Sequence, residues 1–282
     1  MSDSPLRDII DLEKLDTNLF RGKNYMAPWG ALFGGQVLAQ ALNAAGRTVS
    51  QGRYLHSMHS YFILQGSLSK PIIYQVDPIR DGKSFNTRRV VAYQDGKAIF
   101  NLSSSFHKKE DGLSHQDPIP DVPSYEHFLS YEEILKEKGK DINPDLKALM
   151  SNRHIEFRPV ENDLLKNINP DTVRHFWLKS KEPLGDSPSL HREVLAFGSD
   201  YNLMITALIP HRNKIKKENL QMASLDHAMW FHCDFRADDW LLYQMESPCA
   251  SNARGFSRGS FFTKQGNLVC TVVQEGLIRI KS

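Results

Sequence analysis

The chain carries one unit twice. Phe33-Gly34-Gly35-Gln36-Val37-Leu38 is echoed by Phe197-Gly198-Ser199-Asp200-Tyr201-Asn202-Leu203, and Leu55-His56-Ser57-Met58-His59-Ser60-Tyr61-Phe62 by Ala223-Ser224-Leu225-Asp226-His227-Ala228-Met229-Trp230-Phe231. Ile72-Ile73-Tyr74-Gln75 matches Leu241-Leu242-Tyr243-Gln244, and Asp95-Gly96-Lys97 matches Gln265-Gly266-Asn267. Subtraction gives offsets of 164 (36 to 200), 168 (59 to 227), 169 (74 to 243) and 170 (96 to 266). A slowly rising offset is what duplication with small insertions leaves behind. The period is too long for a solenoid, so the repeated unit is a small domain.

Each unit reads as one helix followed by strands. Residues 30–46 place Phe33, Val37 and Ala41 on one stripe with Leu38 and Leu42 beside it, and nearly every face is apolar or small, so this helix is expected to be buried. Gly34-Gly35 in its first turn costs about 1 kcal/mol each relative to alanine, which implies a close approach to that backbone. Strands are expected at 56–64, 71–77, 85–93 and 98–106, separated by Asp81-Gly82 and Asp95-Gly96 turns. That order predicts an α+β unit with a helix on an antiparallel sheet. Residues 1–115 form the first unit and 151–282 the second. Between them, 116–150 reads as a solvated, proline-bearing linker with a short polar helix near Tyr131–Gly139. In the second unit the buried helix is expected from about Ser199 to Leu208, after strands at 154–158 and 175–178 and before four strands ending at Ile280.

Composition excludes several classes. A net charge of +2 gives no case for nucleic acid, and no run approaches the roughly 20 apolar residues of a membrane span. Three cysteines, Cys233, Cys249 and Cys270, have no metal spacing and point to a reducing compartment. The first eight residues lack the apolar core of a secretory signal, and Arg279-Ile280-Lys281-Ser282 is not a Ser-Lys-Leu peroxisomal address. The expectation is cytoplasmic, or peroxisomal if the native C-terminus extends to a targeting signal.

Several motifs tempt. Gly255-Phe256-Ser257-Arg258-Gly259 fits a nucleophile elbow, but a strand-like Ser260-Phe261-Phe262-Thr263 follows where a helix is required, and no histidine follows at all. His56 and His59, three apart in a strand, are expected on opposite faces, and no cysteine or acidic cluster completes a metal site. Arg88, Arg89, Arg254 and Arg258 lie at matching places in the repeats, either as phosphate ligands or as a solvated face. Comparing the copies sets Asp200 against Gln36 on an early helical turn, Ser224 against His56, and Gln274 against Ser104. All are polar, and only the second copy holds a carboxylate. From the residues alone this set is either a cap, a strand hydroxyl and a satisfied amide, or a site.

The segments Leu32–Gln36, Leu55–Phe62, Arg80–Phe85, Ser224–His232 and Val273–Gly276 closely resemble the acyl-CoA thioesterase II family over nearly the whole chain. The resemblance implies a double hot-dog, two sheets each wrapped around a long helix. It implies hydrolysis of medium- to long-chain fatty acyl-CoA without metal or organic cofactor, and assembly as a homodimer or homotetramer. It carries catalytic roles onto Asp200, Ser224 and Gln274, which would activate a water. Gly34, Gly35, Gln36, His59, Arg88 and Arg254 are the expected substrate-binding residues. A hot-dog enoyl-CoA hydratase and a non-catalytic acyl-CoA binder are the alternatives.

Overall fold

Alternation of inward apolar and outward polar side chains builds most of this molecule. The computed structural model describes residues 4–142, 144–161, 173–211 and 219–281. Residues 1–3 and Ser282, on which the targeting expectations lean, lie outside the described residues. The first half runs α1 (Leu6–Ile10), β1 (Glu13–Asp16), β2 (Leu19–Gly22), α2 (Gly34–Gly46), β3 (Tyr54–Phe62), β4 (Ile72–Asp81), β5 (Phe85–Gln94) and β6 (Lys97–His107). Then come α3 (Tyr131–Lys138), α4 (Pro144–Met150), β7 (Ile155–Pro159), β8 (Val173–Ser180), α5 (Pro188–Ser199), α6 (Leu203–Thr206), β9 (Leu220–Ser224), β10 (Asp226–Phe231), β11 (Leu241–Ser251), β12 (Arg254–Thr263) and β13 (Leu268–Ile280).

The strands make one antiparallel sheet in the order β1-β2-β4-β5-β6-β3-β10-β13-β12-β11-β8-β7, with β9 beside β13. From the middle outward, the second half repeats the first: β3 and β10, β6 and β13, β5 and β12, β4 and β11. The halves join where β3 pairs with β10, Met58 opposite Met229 and Ser60 opposite His227. Turn chemistry follows position. Asp95 and Gly96 take left-handed φ of 49° and 73° in the two-residue β5–β6 turn, as a type I′ turn demands.

The inner face wraps two antiparallel helices. α2 is buried on nearly every side, as its Ala/Leu/Val composition requires. Its polar residues are satisfied: Gln40 donates to Ile9 O at 2.6 Å and accepts from the Tyr74 hydroxyl at 2.7 Å. α5 lies along α2, capped by Ser187 Oγ, which accepts from Leu190 N at 3.4 Å, with Pro188 in its first turn.

Two expectations about local structure need correcting. The second buried helix is Pro188–Ser199, not Ser199–Leu208, so Asp200 stands just past a helix C-terminus rather than on an early turn. The matched Phe-Gly pairs therefore sit at opposite ends of their helices. The proline-bearing stretch is also only partly solvated. Tyr125 stacks on Trp240 at 4.5 Å, and Pro123 O accepts from Trp177 Nε1 at 2.9 Å, so residues 119–128 cover the outer face of β8 and β11. α3 forms as expected, with a capping box between Ser130 and Glu133.

Candidate active site

The antiparallel helix pair brings the start of α2 against the end of α5. Gly35 N donates to Asp200 Oδ2 at 2.9 Å. A Cβ on Gly34 would lie 2.6 Å from that same oxygen and 3.0 Å from the Phe62 ring, and a Cβ on Gly35 would collide with the Phe197 carbonyl. The two glycines are therefore required by close approach, as the sequence implied. Gly198 has only ordinary contacts with Leu178 and Ile155. The N-terminus of α2 carries unpaired donors and a positive dipole end, which suits an anion.

Asp200 keeps part of its surface open, yet dense surroundings raise its carboxyl to about 6 by burial, while the Gly35 N–H and the Gln274 amide pull it the other way. Gln274 lies on the inner face of β13 and is 1% exposed. Its Nε2 donates to Ser224 Oγ at 2.8 Å. Ser224 ends β9 opposite Gly276, where the strand breaks at Leu225 before resuming as β10. Asp200, Gln274 and Ser224 thus come together through the amide.

The other candidates separate. Gln36 is fully buried and braces the N-terminal segment, accepting from Tyr25 N at 2.8 Å and donating to Lys23 O at 2.8 Å. His59 lies on the outer face against Trp230, opposite Ala228. The sequence match set His59 against His227, but the burial patterns set Met58 there. A one-residue slip changes faces. His56 and His59 share the outer face, contrary to their spacing, because a β-bulge between Leu55 and Ser57 puts two residues opposite Ser105; His56 Nε2 meets Ser105 Oγ at 2.8 Å. Arg254 pairs with Glu275 at 2.9 Å on the face opposite Gln274. Arg88 is 2% exposed and spent on Asp81, the Thr48 hydroxyl and carbonyl, and the carbonyls of Arg80 and Thr87.

Sheet register also corrects the arginine match. Arg88 stands opposite Ser104, and Ser257 opposite Gln274. Arg88 is therefore the counterpart of Ser257, and Arg89 that of Arg258. Where the first half fills its inner face with a guanidinium, the second places a serine whose Oγ is buried without a hydrogen-bond partner among the described residues. Ser257 sits in mid-strand, which rules out the elbow.

Sequence reasoning missed two members of the cluster. His227 Nδ1 meets Gln274 Oε1 at 2.8 Å, and its Nε2 meets Ser199 Oγ at 2.9 Å. His227 is fully buried, and burial lowers its imidazole to about 4. Its sequence signals are its match to His59 in the repeat and its place three residues after Ser224. Among the described residues, no cluster of three or more His, Cys, Asp or Glu side chains is arranged to hold a metal, and no helix is long and apolar enough to cross a membrane.

The wrapped sheet, the paired helices and the Asp-amide-hydroxyl cluster between them define a double hot-dog protein with a candidate site to which both halves contribute. The comparisons then fix the family. Residues 151–277 match the acyl-CoA thioesterase family, and 24–107 the acyl-CoA thioesterase N-terminal domain. The chain is 39% identical to mouse acyl-coenzyme A thioesterase 8, covering 97% of this chain and 88% of that protein. It is 34% identical to Haemophilus influenzae acyl-CoA thioesterase 2, covering 96% of each. It superposes on the crystal structure of the Mycobacterium marinum acyl-CoA thioesterase II TesB2 with a TM-score of 0.82 at 38% identity, over 98% of each chain. This chain belongs to the acyl-CoA thioesterase family.

Proposed function

We propose that this protein hydrolyses fatty acyl-CoA thioesters of medium to long chain to free fatty acid and CoA, in the cytoplasm, through a water activated by Asp200. The observation that carries the reading is the carboxylate held between the α2 N-terminus and the Gln274 amide. Asp200 takes the water's proton, and Gln274 and Ser224 hold the water for attack on the thioester carbonyl. The first turn of α2, free of side chains at Gly34 and Gly35, offers the developing oxyanion its N–H donors other than that of Gly35, which is spent on Asp200. The tetrahedral intermediate then expels the CoA thiolate, which takes up a proton.

His227 argues against a hydratase, because both ring nitrogens are engaged by protein partners and the ring has no exposed surface. A thiol-release assay across acyl chain lengths, run beside enoyl-CoA absorbance, tests the reading. Thiol release is expected, and absorbance loss without it would instead support the hydratase. Stoichiometric CoA binding with no turnover would support a binding protein. Ser224→Ala and Gln274→Ala should each lower kcat less than loss of Asp200 does, and less than additively together, because they act on one water.

A further inference from the structure

Ser199, His227, Gln274 and Ser224 form a single file of hydrogen bonds running under Asp200. The steps are 2.9 Å from Ser199 Oγ to His227 Nε2, 2.8 Å from His227 Nδ1 to Gln274 Oε1, and 2.8 Å from Gln274 Nε2 to Ser224 Oγ. The first three residues are at most 1% exposed, so no bulk water can substitute for a missing partner. The backbone of His227 is also pinned from the other half, where Ser60 Oγ donates to its carbonyl at 2.8 Å.

Proton counting orders the file. A neutral imidazole has one N–H, so one ring nitrogen donates and the other accepts. The Gln274 amide is oriented by its far end: a carboxylate at Asp200 attracts the NH₂ and repels the carbonyl, and that same nitrogen reaches Ser224. Oε1, which can only accept, is left facing Nδ1. The bond therefore needs a proton on Nδ1. Nε2 then accepts the single proton of the Ser199 hydroxyl at 2.9 Å, which this order turns away from the Ala196 carbonyl at the same distance. Ser224 Oγ has accepted from Gln274 and keeps its own O–H for the site. The opposite order sets two lone pairs face to face at 2.8 Å, or turns the amide carbonyl toward Asp200. Either leaves a buried polar group unmatched.

We propose that His227, held as the neutral Nδ1–H tautomer, is the positioning residue that fixes the Gln274 amide and, through it, the direction in which the Ser224 hydroxyl points. The kinetic consequence rests on the hydrolytic reading above; the tautomer does not. Burial keeps the ring uncharged, which supports the same order.

Long-range ¹H–¹⁵N correlation on the full chain labelled with ¹⁵N-histidine at about pH 7 reads the tautomer directly, with the His227 signal assigned by its loss in His227→Asn. A protonated Nδ1 and an unprotonated Nε2 are expected. An Nε2–H ring, or a doubly protonated one, overturns the proposal while leaving hydrolysis untouched. The second arm is kinetic. His227→Asn keeps an N–H near the Nδ1 position and should retain most of kcat. His227→Leu removes the donor and should lower kcat by about 10–100-fold with KM within roughly threefold. Full kcat in the leucine variant, or equal loss in both variants, overturns the positioning role. If the leucine variant does not fold, the tautomer in the native chain decides.

Discussion

Asp200 serves two opposed demands. As the proposed base it must ionise, yet its surroundings raise its carboxyl to about 6 from an ordinary 3.8. kcat should therefore rise with pH up to about 6 and level off above it, and a pH–rate profile on one good acyl-CoA checks this. The same shift has a sign for stability. In the folded chain the protonated form is favoured, so stability present below about pH 4 is lost as pH rises to about 6, by at most about 3 kcal/mol, less where water reaches the carboxylate. Asp200→Asn should lower kcat by about 10²–10⁴-fold and yet melt higher than the parent at about pH 8, with no such advantage near pH 4. Melting curves of both proteins at the two pH values test it; equal offsets at both would contradict it. Glu193 behaves in the same way without a role in the chemistry. Burial between the helices raises it from 4.5 to about 7 against the pull of an Asn43 hydrogen bond at 3.2 Å, so Glu193→Gln should gain stability over the parent as pH rises from 4.5 to about 7, hold that gain above neutrality and show none at lower pH, which melting curves across that range check.

At the scale of elements, turns expose a second tension. The β11–β12 hairpin turns through Asn252 and Ala253 at φ of 47° and 58°. Asparagine tolerates the left-handed region; alanine does so at a cost of about 1 kcal/mol or more. Ala253→Gly should therefore raise Tm by about 1–4 °C, allowing for the greater freedom glycine gives the unfolded chain. Calorimetry showing a fall would mean that the Ala253 methyl packs better than its strain suggests. Much of this architecture was legible beforehand. Runs of β-branched and aromatic residues with Asp-Gly turns reveal β3 to β6, and the repeat reveals the second half. The second helix lies earlier than the Phe-Gly match places it, because Ser187 caps it, Pro188 opens it and its 12 residues end at Ser199. His59 and Arg88 were misassigned because bulges and register, which decide which face a side chain takes, depend on pairing partners far along the chain. Asp200, Gln274 and Ser224 were found through family resemblance. Nothing local in their sequence says that one amide joins them.

For the whole molecule, Tyr61, Ile63 and Leu64 form an exposed run at the end of β3, at 60%, 46% and 52% exposure. Exposed apolar side chains at one strand end suit association. Sedimentation at micromolar concentration should show species heavier than the 32.2 kDa chain; that mass alone would contradict self-association.

The seam between β3 and β10 carries a further consequence, for synthesis. β3 pairs on one side with β6, close behind it, and on the other with residues 226–231. During translation the first half can complete its own sheet long before that second partner leaves the ribosome. Throughout that interval β3 presents an open row of backbone donors and acceptors flanked by Tyr61, the kind of edge that recruits other chains. The duplication that lets Gly35 of one half hold Asp200 of the other thus also leaves the nascent first half with an open sheet edge until residues 226–231 arrive to cover it.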